Sequence, residues 1–189
     1  MLAASNGDPK EVTSLHNVTT PVPNQYEQAI RAVGDIIRDY DTDKMFPVLG
    51  FGARLPPDGR ISHEFFVNLD QTNPYVADIN GVLAAYKSCV HRVQLYGPTN
   101  FAPVIHHVSQ FARQYADGSQ YFILLIITDG VITDMPQTKE VSRRRSIGEV
   151  TAVYNLDLIK GTSQLPIIKN ILISYADHAS EQTFQILSA

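Results

Sequence analysis

The 189-residue chain has one cysteine, no tryptophan, no long apolar run and little excess of either charge. A single cysteine, Cys89, excludes an intramolecular disulfide and favours a reducing compartment. Lys and Arg number 15 against 19 Asp and Glu, and this net charge of −4 provides no general attraction for nucleic acid or an anionic membrane. The longest apolar run, residues 121–127, is far shorter than the roughly 20 residues that a transmembrane helix needs.

The N-terminal sequence MLAASNGDPKE lacks the basic and apolar regions of a signal peptide, so we expect none. Apolar residues make up 44% of the chain and charged residues 18%, a composition typical of globular proteins rather than of disordered ones. The length is sufficient for one domain with its own hydrophobic core. Together these features predict a soluble, cytoplasmic domain.

Apolar residues recur with the periods of helices and strands along residues 24–127. Three segments are predicted to be helices: 24–40, with Asn24 as N-cap, 79–90, preceded by Asp78, and 99–115, beginning at Thr99 or Asn100. Three segments are predicted to be strands: 45–52, 62–69 and 121–127. The last is apolar at every position, as in a central parallel strand covered on both faces. The alternation indicates the α/β class, with a doubly wound, mostly parallel sheet.

Three turns with oxygen-bearing side chains are predicted to meet at one edge of this sheet, because ligands bind at the carboxyl ends of its strands. Asp129 follows the most apolar strand, Thr99 lies in the turn YGPTN, and Ser5 lies in the turn ASNG. Hydroxyl and carboxylate oxygens are hard ligands that suit Mg²⁺, Mn²⁺ or Ca²⁺ better than Zn²⁺. A site with so few protein charges leaves coordination positions for an acidic group from a partner.

Six sequence blocks follow one another along the chain: ASNGDP (4–9), SLH (14–16), YDTDKMFP (40–47), GFGA (50–53), LYGPTNFAP (95–103) and SQYFILLIITDGVITD (119–134). Taken in this order, they resemble the von Willebrand factor A-type domain of the copines. The likeness extends from residue 1 to about residue 140. It implies a Rossmann-like fold with a metal-ion-dependent adhesion site, to which Ser5, Thr99 and Asp129 would contribute, and a role in recruiting target proteins.

The resemblance also implies a cellular setting. Copines are similar in carrying two C2 domains, which bind phospholipids in response to calcium, ahead of the A-type domain. The matching blocks do not include a C2 domain, so the resemblance implies phospholipid binding only through domains outside these residues. It further implies calcium-dependent association of the full-length family with the plasma membrane, and intracellular target proteins bound through acidic side chains, without nucleic acid.

The chain departs from the copine pattern at both ends. The first metal loop of the family reads Asp-x-Thr-x-Ser, and the matching positions here are Met1, Ala3 and Ser5. The Asp, the Thr and the strand before them are missing, so we expect an N-terminally truncated domain (residues 1–140) with a weakened cation site. An incomplete sheet would expose unpaired backbone, so we expect marginal stability or a partner chain at the open position.

The tail, residues 141–189, diverges from the family after Glu140. The change at Val141-Ser142 is interpreted either as sequence from a retained intron or a faulty gene model, or as the start of a diverged continuation. In the second interpretation residues 165–174 are a diverged version of the next family strand. The apolar spacing predicts one strand and a helix in this tail, the helix over residues 180–187.

Each candidate ligand has a simpler structural explanation. Asp129 can cap the turn after its strand, Thr99 can cap the next helix, and Ser5 can be an ordinary turn serine. Asp134 lies near Asp129 in the sequence, but no nucleophile or histidine base accompanies the two carboxylates, so we predict no enzymatic activity. The function predicted is a non-enzymatic protein-interaction module. The alternative is an inert or dominant-interfering fragment without metal binding.

Overall fold

A computed structural model describes residues 6–37, 43–115, 121–129, 132–143, 149–155 and 181–188, and the fold is mixed α/β. The helices are α1 (Gln25–Ile37), α2 (Asp78–Arg92), α3 (Ala102–Ala112) and α4 (Met135–Arg143). The strands are β1 (Met45–Phe51), β2 (Ala53–Leu55), β3 (Arg60–Ser62), β4 (Phe65–Phe66), β5 (Tyr75–Ala77), β6 (Gln94–Leu95), β7 (Tyr121–Thr128), β8 (Glu149–Asn155) and β9 (Glu181–Ser188). Within these residues, each helix is too short or too polar to cross a membrane.

The strands form two sheets. The larger sheet has the order β4-β1-β9-β7-β8, and β5 pairs with the same strand β1. β1, β9, β7 and β8 run parallel, whereas β4 and β5 are antiparallel to β1. The smaller sheet is antiparallel and has the order β3-β2-β6. Because the four parallel strands end at the same edge, the residues that follow β7 lie at the carboxyl edge of the larger sheet.

The larger sheet lies between two hydrophobic clusters, because successive side chains of a strand point to opposite faces. Val48 of β1 and Leu125 of β7 belong to the cluster that includes the buried residues of α1 and α2. Leu49 and Ile126, from the same two strands, belong to the cluster that includes α3. The prediction that the strand at 121–127 is buried on both faces is therefore confirmed.

The start of α1 agrees with the sequence analysis. Asn24 Oδ1 accepts a hydrogen bond of 2.9 Å from the Glu27 backbone N–H, which is the expected action of an N-cap residue. Beyond Ile37, the rest of the helix predicted over 24–40 lies outside the described residues. The predicted strand at 45–52 is confirmed as β1.

The single strand predicted over 62–69 is wrong. The Ser62 hydroxyl donates to the Glu64 carbonyl, which marks a bend between β3 and β4. After this bend only Phe65 and Phe66 pair with β1. A local hydrogen bond of this kind competes with strand pairing, and the weak alternation of the sequence gave no indication of it.

The centre of the larger sheet is formed by a strand from the tail. β9 lies between β1 and β7 and pairs in parallel with both, so that Leu49 is opposite Ile186 and Leu125 is opposite Gln185. The expectation of an incomplete sheet with an open position for a partner chain is therefore wrong here, because residues of this chain pair with both strands. The helix predicted over 180–187 is also wrong, because β9 covers Glu181–Ser188. The alternative strand at 165–174 lies outside the described residues.

Candidate functional site

The Thr99 side chain lies in the turn between β6 and α3. Thr99 is fully buried, and its hydroxyl oxygen has no hydrogen-bond partner among the described residues. A buried hydroxyl without a partner costs about 1–3 kcal/mol relative to the same group exposed to water. Such an atom in a native protein calls for an explanation, and a bound water or ion is one such explanation. Thr99 Oγ1 therefore has the chemistry of an available oxygen ligand.

The backbone of Thr99 is hydrogen-bonded to the segment that follows β7. Its carbonyl accepts the Thr133 backbone N–H at 2.9 Å and also the Thr133 hydroxyl. The same hydroxyl lies 3.2 Å from Asn100 Oδ1. Since Thr133 follows Asp129 by only four positions, these hydrogen bonds bring the Thr99 turn to the carboxyl edge of the sheet.

Asp129 directly follows the last residue of β7 and is partly buried. Two of the three predicted ligands, Thr99 and Asp129, thus lie on segments that are linked through Thr133. The third, Ser5, lies outside the described residues, as do Met1 and Ala3. In the described part of the chain, no three His, Cys, Asp or Glu side chains form a group that could hold a metal ion.

The sequence analysis considered Asp134 only as a second carboxylate near Asp129 and missed its structural role. Its Oδ1 accepts the Phe101 backbone N–H at 2.9 Å, and its Oδ2 accepts the Ala102 backbone N–H at 2.8 Å. The Thr138 hydroxyl donates to Oδ1 at 3.1 Å. The carboxylate therefore binds the exposed N–H groups at the start of α3.

These contacts correct the predicted start of α3. The N-cap position is Phe101, and neither Thr99 nor Asn100 provides a side-chain cap. The interpretation of Thr99 as a helix cap is therefore wrong, because the N–H groups concerned bind a carboxylate from a distant segment. The available signal in the sequence was an Asp before a helix, which predicts capping of α4 but not of α3.

The other reactive side chains on α2 and α3 include two histidines of α3 with hydrogen-bond partners and the buried Cys89 of α2. His107 Nδ1 lies 2.9 Å from Glu64 Oε1, and this hydrogen bond raises the pKa of His107. His106 instead has Gln110 as its partner, at 2.9 Å. Burial raises the pKa of the Cys89 thiol to about 12, so the thiolate is scarce at neutral pH and Cys89 is a poor nucleophile.

The copine family model matches residues 14–147. The chain belongs to the copine family. The matched region contains Thr99, Asp129 and Asp134 and begins after Ser5. Membership of this family suggests a module of a calcium-dependent membrane-binding protein. The match confirms the resemblance from residue 14 onward and extends it to residue 147, whereas the block at residues 4–9 precedes the matched region.

Proposed function

We propose that this copine chain is a non-enzymatic protein-interaction module with the doubly wound, Rossmann-like fold of von Willebrand factor A-type domains. Two features support the proposal: the four parallel strands and the two hydrophobic clusters, one with α1 and α2 and one with α3. In sheets of this type, ligands bind beyond the carboxyl ends of the strands. The Thr99 turn and Asp129 are at that edge.

Thr99 and Asp129 would hold a divalent cation at this edge. The observation that carries this step is the buried Thr99 hydroxyl oxygen, which has no hydrogen-bond partner among the described residues. One hydroxyl and one carboxylate are oxygen ligands suited to Mg²⁺, Mn²⁺ or Ca²⁺. When bound, the cation would supply positive charge with coordination positions open to another ligand.

An acidic side chain of a partner protein fits those open positions. A site with one protein carboxylate leaves one of the two positive charges of a divalent cation uncompensated, and an Asp or Glu from a partner would compensate it. Ser5 remains a predicted third ligand. Met1 and Ala3 stand where the copine pattern has Asp and Thr, so we expect a weaker cation affinity than a complete set of ligands would give.

The setting that we propose is cytoplasmic. Calcium-dependent contact with phospholipids would be made by C2 domains, as the family implies, and this module would then present intracellular target proteins at the plasma membrane. The module itself would need no contact with lipid or nucleic acid, in keeping with its net charge of −4.

Calorimetric titration of the full chain with Mn²⁺, Mg²⁺ and Ca²⁺ tests the cation site. At least one cation should bind, Asp129→Ala should abolish its binding, and Thr99→Val should weaken it. Thr72→Val is the matched control, because Thr72 is exposed and its hydroxyl donates to Asp70 at 2.7 Å. The control should bind like the unsubstituted chain. Absence of binding for all three cations would favour the alternative, an inert or dominant-interfering fragment.

A pair of peptides tests the docking step. One peptide carries a single central glutamate, and the other carries glutamine at the same position. With Mn²⁺ present, the glutamate peptide should bind the chain more tightly than the glutamine peptide, and chelation of the metal should remove the difference. Equal binding of the two peptides would contradict recognition of an acidic side chain.

A further inference from the structure

Asp134 connects the starts of two helices. Its main-chain carbonyl accepts the Thr138 N–H at 2.9 Å, as expected of the N-cap residue of α4. The carboxylate of an N-cap Asp usually binds N–H groups of its own helix. Here its two oxygens accept the Phe101 and Ala102 N–H groups at the start of α3 instead.

We infer that Asp134 is a positioning residue for the candidate cation site, an inference that rests on the proposed function. The two N–H groups that Asp134 holds lie two and three positions after Thr99. Immobilising them fixes the C-terminal side of the turn that carries the Thr99 hydroxyl. Asp134 would thereby keep Thr99 Oγ1 in place before a cation binds.

Thr133 provides a second attachment to the same turn. Its backbone N–H and its hydroxyl both donate to the Thr99 carbonyl. The adjacent residues Thr133 and Asp134 therefore hold the turn at Thr99, Phe101 and Ala102. Both follow closely after Asp129, so one short segment supplies a candidate ligand and positions the other.

The hydrogen bonds of Asp134 argue against a role as a ligand. Three donors reach its two carboxylate oxygens, and Asp134 is 8% exposed. Hydrogen bonds from N–H groups to a carboxylate are stronger than those between neutral groups, and helix N-termini favour a nearby negative charge. Asp134 would therefore act on the cation through the Thr99 turn.

Two substitutions of Asp134 in the full chain test this inference, with Mn²⁺ affinity and amide hydrogen exchange as readouts. Asp134→Ala should accelerate exchange at Phe101 and Ala102 and lower Mn²⁺ affinity about tenfold or more, as loss of an outer-shell partner does in metal sites. Asp134→Asn should have smaller effects, because its amide oxygen can still accept one of the two N–H groups. If Asp134→Ala fails to fold, Asp134→Asn still tests the role of the carboxylate. Thr133→Val removes only the hydroxyl donor to the same turn and should also lower Mn²⁺ affinity.

Asp58→Asn is the matched control for the loss of a carboxylate. Asp58 is exposed and its Oδ1 accepts the Arg60 N–H at 3.1 Å, so this variant should leave both readouts unchanged. Faster exchange with unchanged Mn²⁺ affinity in the Asp134 variants would overturn the inference and reduce Asp134 to a helix cap. Absence of Mn²⁺ binding by the unsubstituted chain would instead overturn the cation site itself, and the positioning role with it.

Discussion

Two buried polar regions of this chain use their hydrogen-bonding groups differently. Around His16, both ring nitrogens have partners: Nδ1 lies 2.7 Å from the Tyr86 hydroxyl, and Nε2 lies 3.1 Å from Asn6 Nδ2. The ring also stacks on Tyr26, with centroids 4.0 Å apart. In the Thr99 turn, by contrast, a fully buried hydroxyl has no hydrogen-bond partner among the described residues.

The difference separates a structural role from a candidate binding role. Burial lowers the pKa of His16 to about 3, so the imidazole is neutral and matches its two partners with one donor and one acceptor. A partnered polar group of this kind stabilises a unique packing arrangement. Within the part of the chain that the structure describes, the Thr99 hydroxyl has no such contact, which is why we propose it as a cation ligand.

The largest expected effect is the loss of the His16 side chain. His16→Ala should lower the free energy of unfolding by about 3 kcal/mol, because it creates a cavity and deprives the buried Tyr86 hydroxyl and Asn6 amide of a partner. Urea denaturation at pH 7 measures this change. His106→Ala, at an exposed position of α3, is the control and should alter stability by less than about 0.5 kcal/mol. Similar losses for both variants would contradict the structural role of His16.

The second largest expected effect is a pH dependence of stability that comes from His16 and not from the Thr99 hydroxyl. The folded pKa of His16 lies below its ordinary value of 6.5, so the unfolded chain binds more protons between these values. The contribution of His16 to the free energy of unfolding is therefore complete above pH 6.5. The free energy of unfolding falls by about 2 kcal/mol as the pH is lowered from 6.5 to 5. Urea denaturation across this range should show the loss in the unsubstituted chain and little of it in His16→Gln.

His107 provides the control of opposite sign. Its pKa is raised by the hydrogen bond to Glu64, so the contribution of this pair is complete below the ordinary pKa and is lost as the pH rises through the raised value. The pair is partly exposed, so this contribution is about 0.5 kcal/mol.

A His16→Gln variant that retained the full loss of stability between pH 6.5 and 5 would show that groups other than His16 cause that loss.

A smaller effect on stability is expected at Thr99 than at His16. Thr99→Val should leave the free energy of unfolding unchanged or raise it by about 1 kcal/mol, because it removes a buried hydroxyl that has no hydrogen-bond partner among the described residues. Thr138→Val should instead lose about 1 kcal/mol, since its hydroxyl donates to Asp134 at 3.1 Å. Thermal or urea denaturation in the absence of divalent cations compares the two. Equal losses would mean that the Thr99 hydroxyl has a partner in the folded chain.

Comparison of the sequence with the structure shows which features are local. The N-cap at Asn24, the strand β1 and the apolar strand β7 were predictable, because each depends on a side chain or a periodicity within its own segment. The same reasoning failed for β9, where two apolar residues at helical spacing suggested a helix. Pairing with β1 and β7 on both sides outweighs that weak local preference.

The amino-acid sequence by itself determined the α/β class, the copine resemblance and the candidate ligands Thr99 and Asp129, because motifs and apolar periods are properties of neighbouring residues. Only the tertiary structure decided that Asp134 holds the start of α3 and that the Thr99 hydroxyl is buried without a partner among the described residues. The Asp134 hydrogen bonds join segments more than thirty residues apart, and the burial of a side chain likewise arises from packing rather than from local preference.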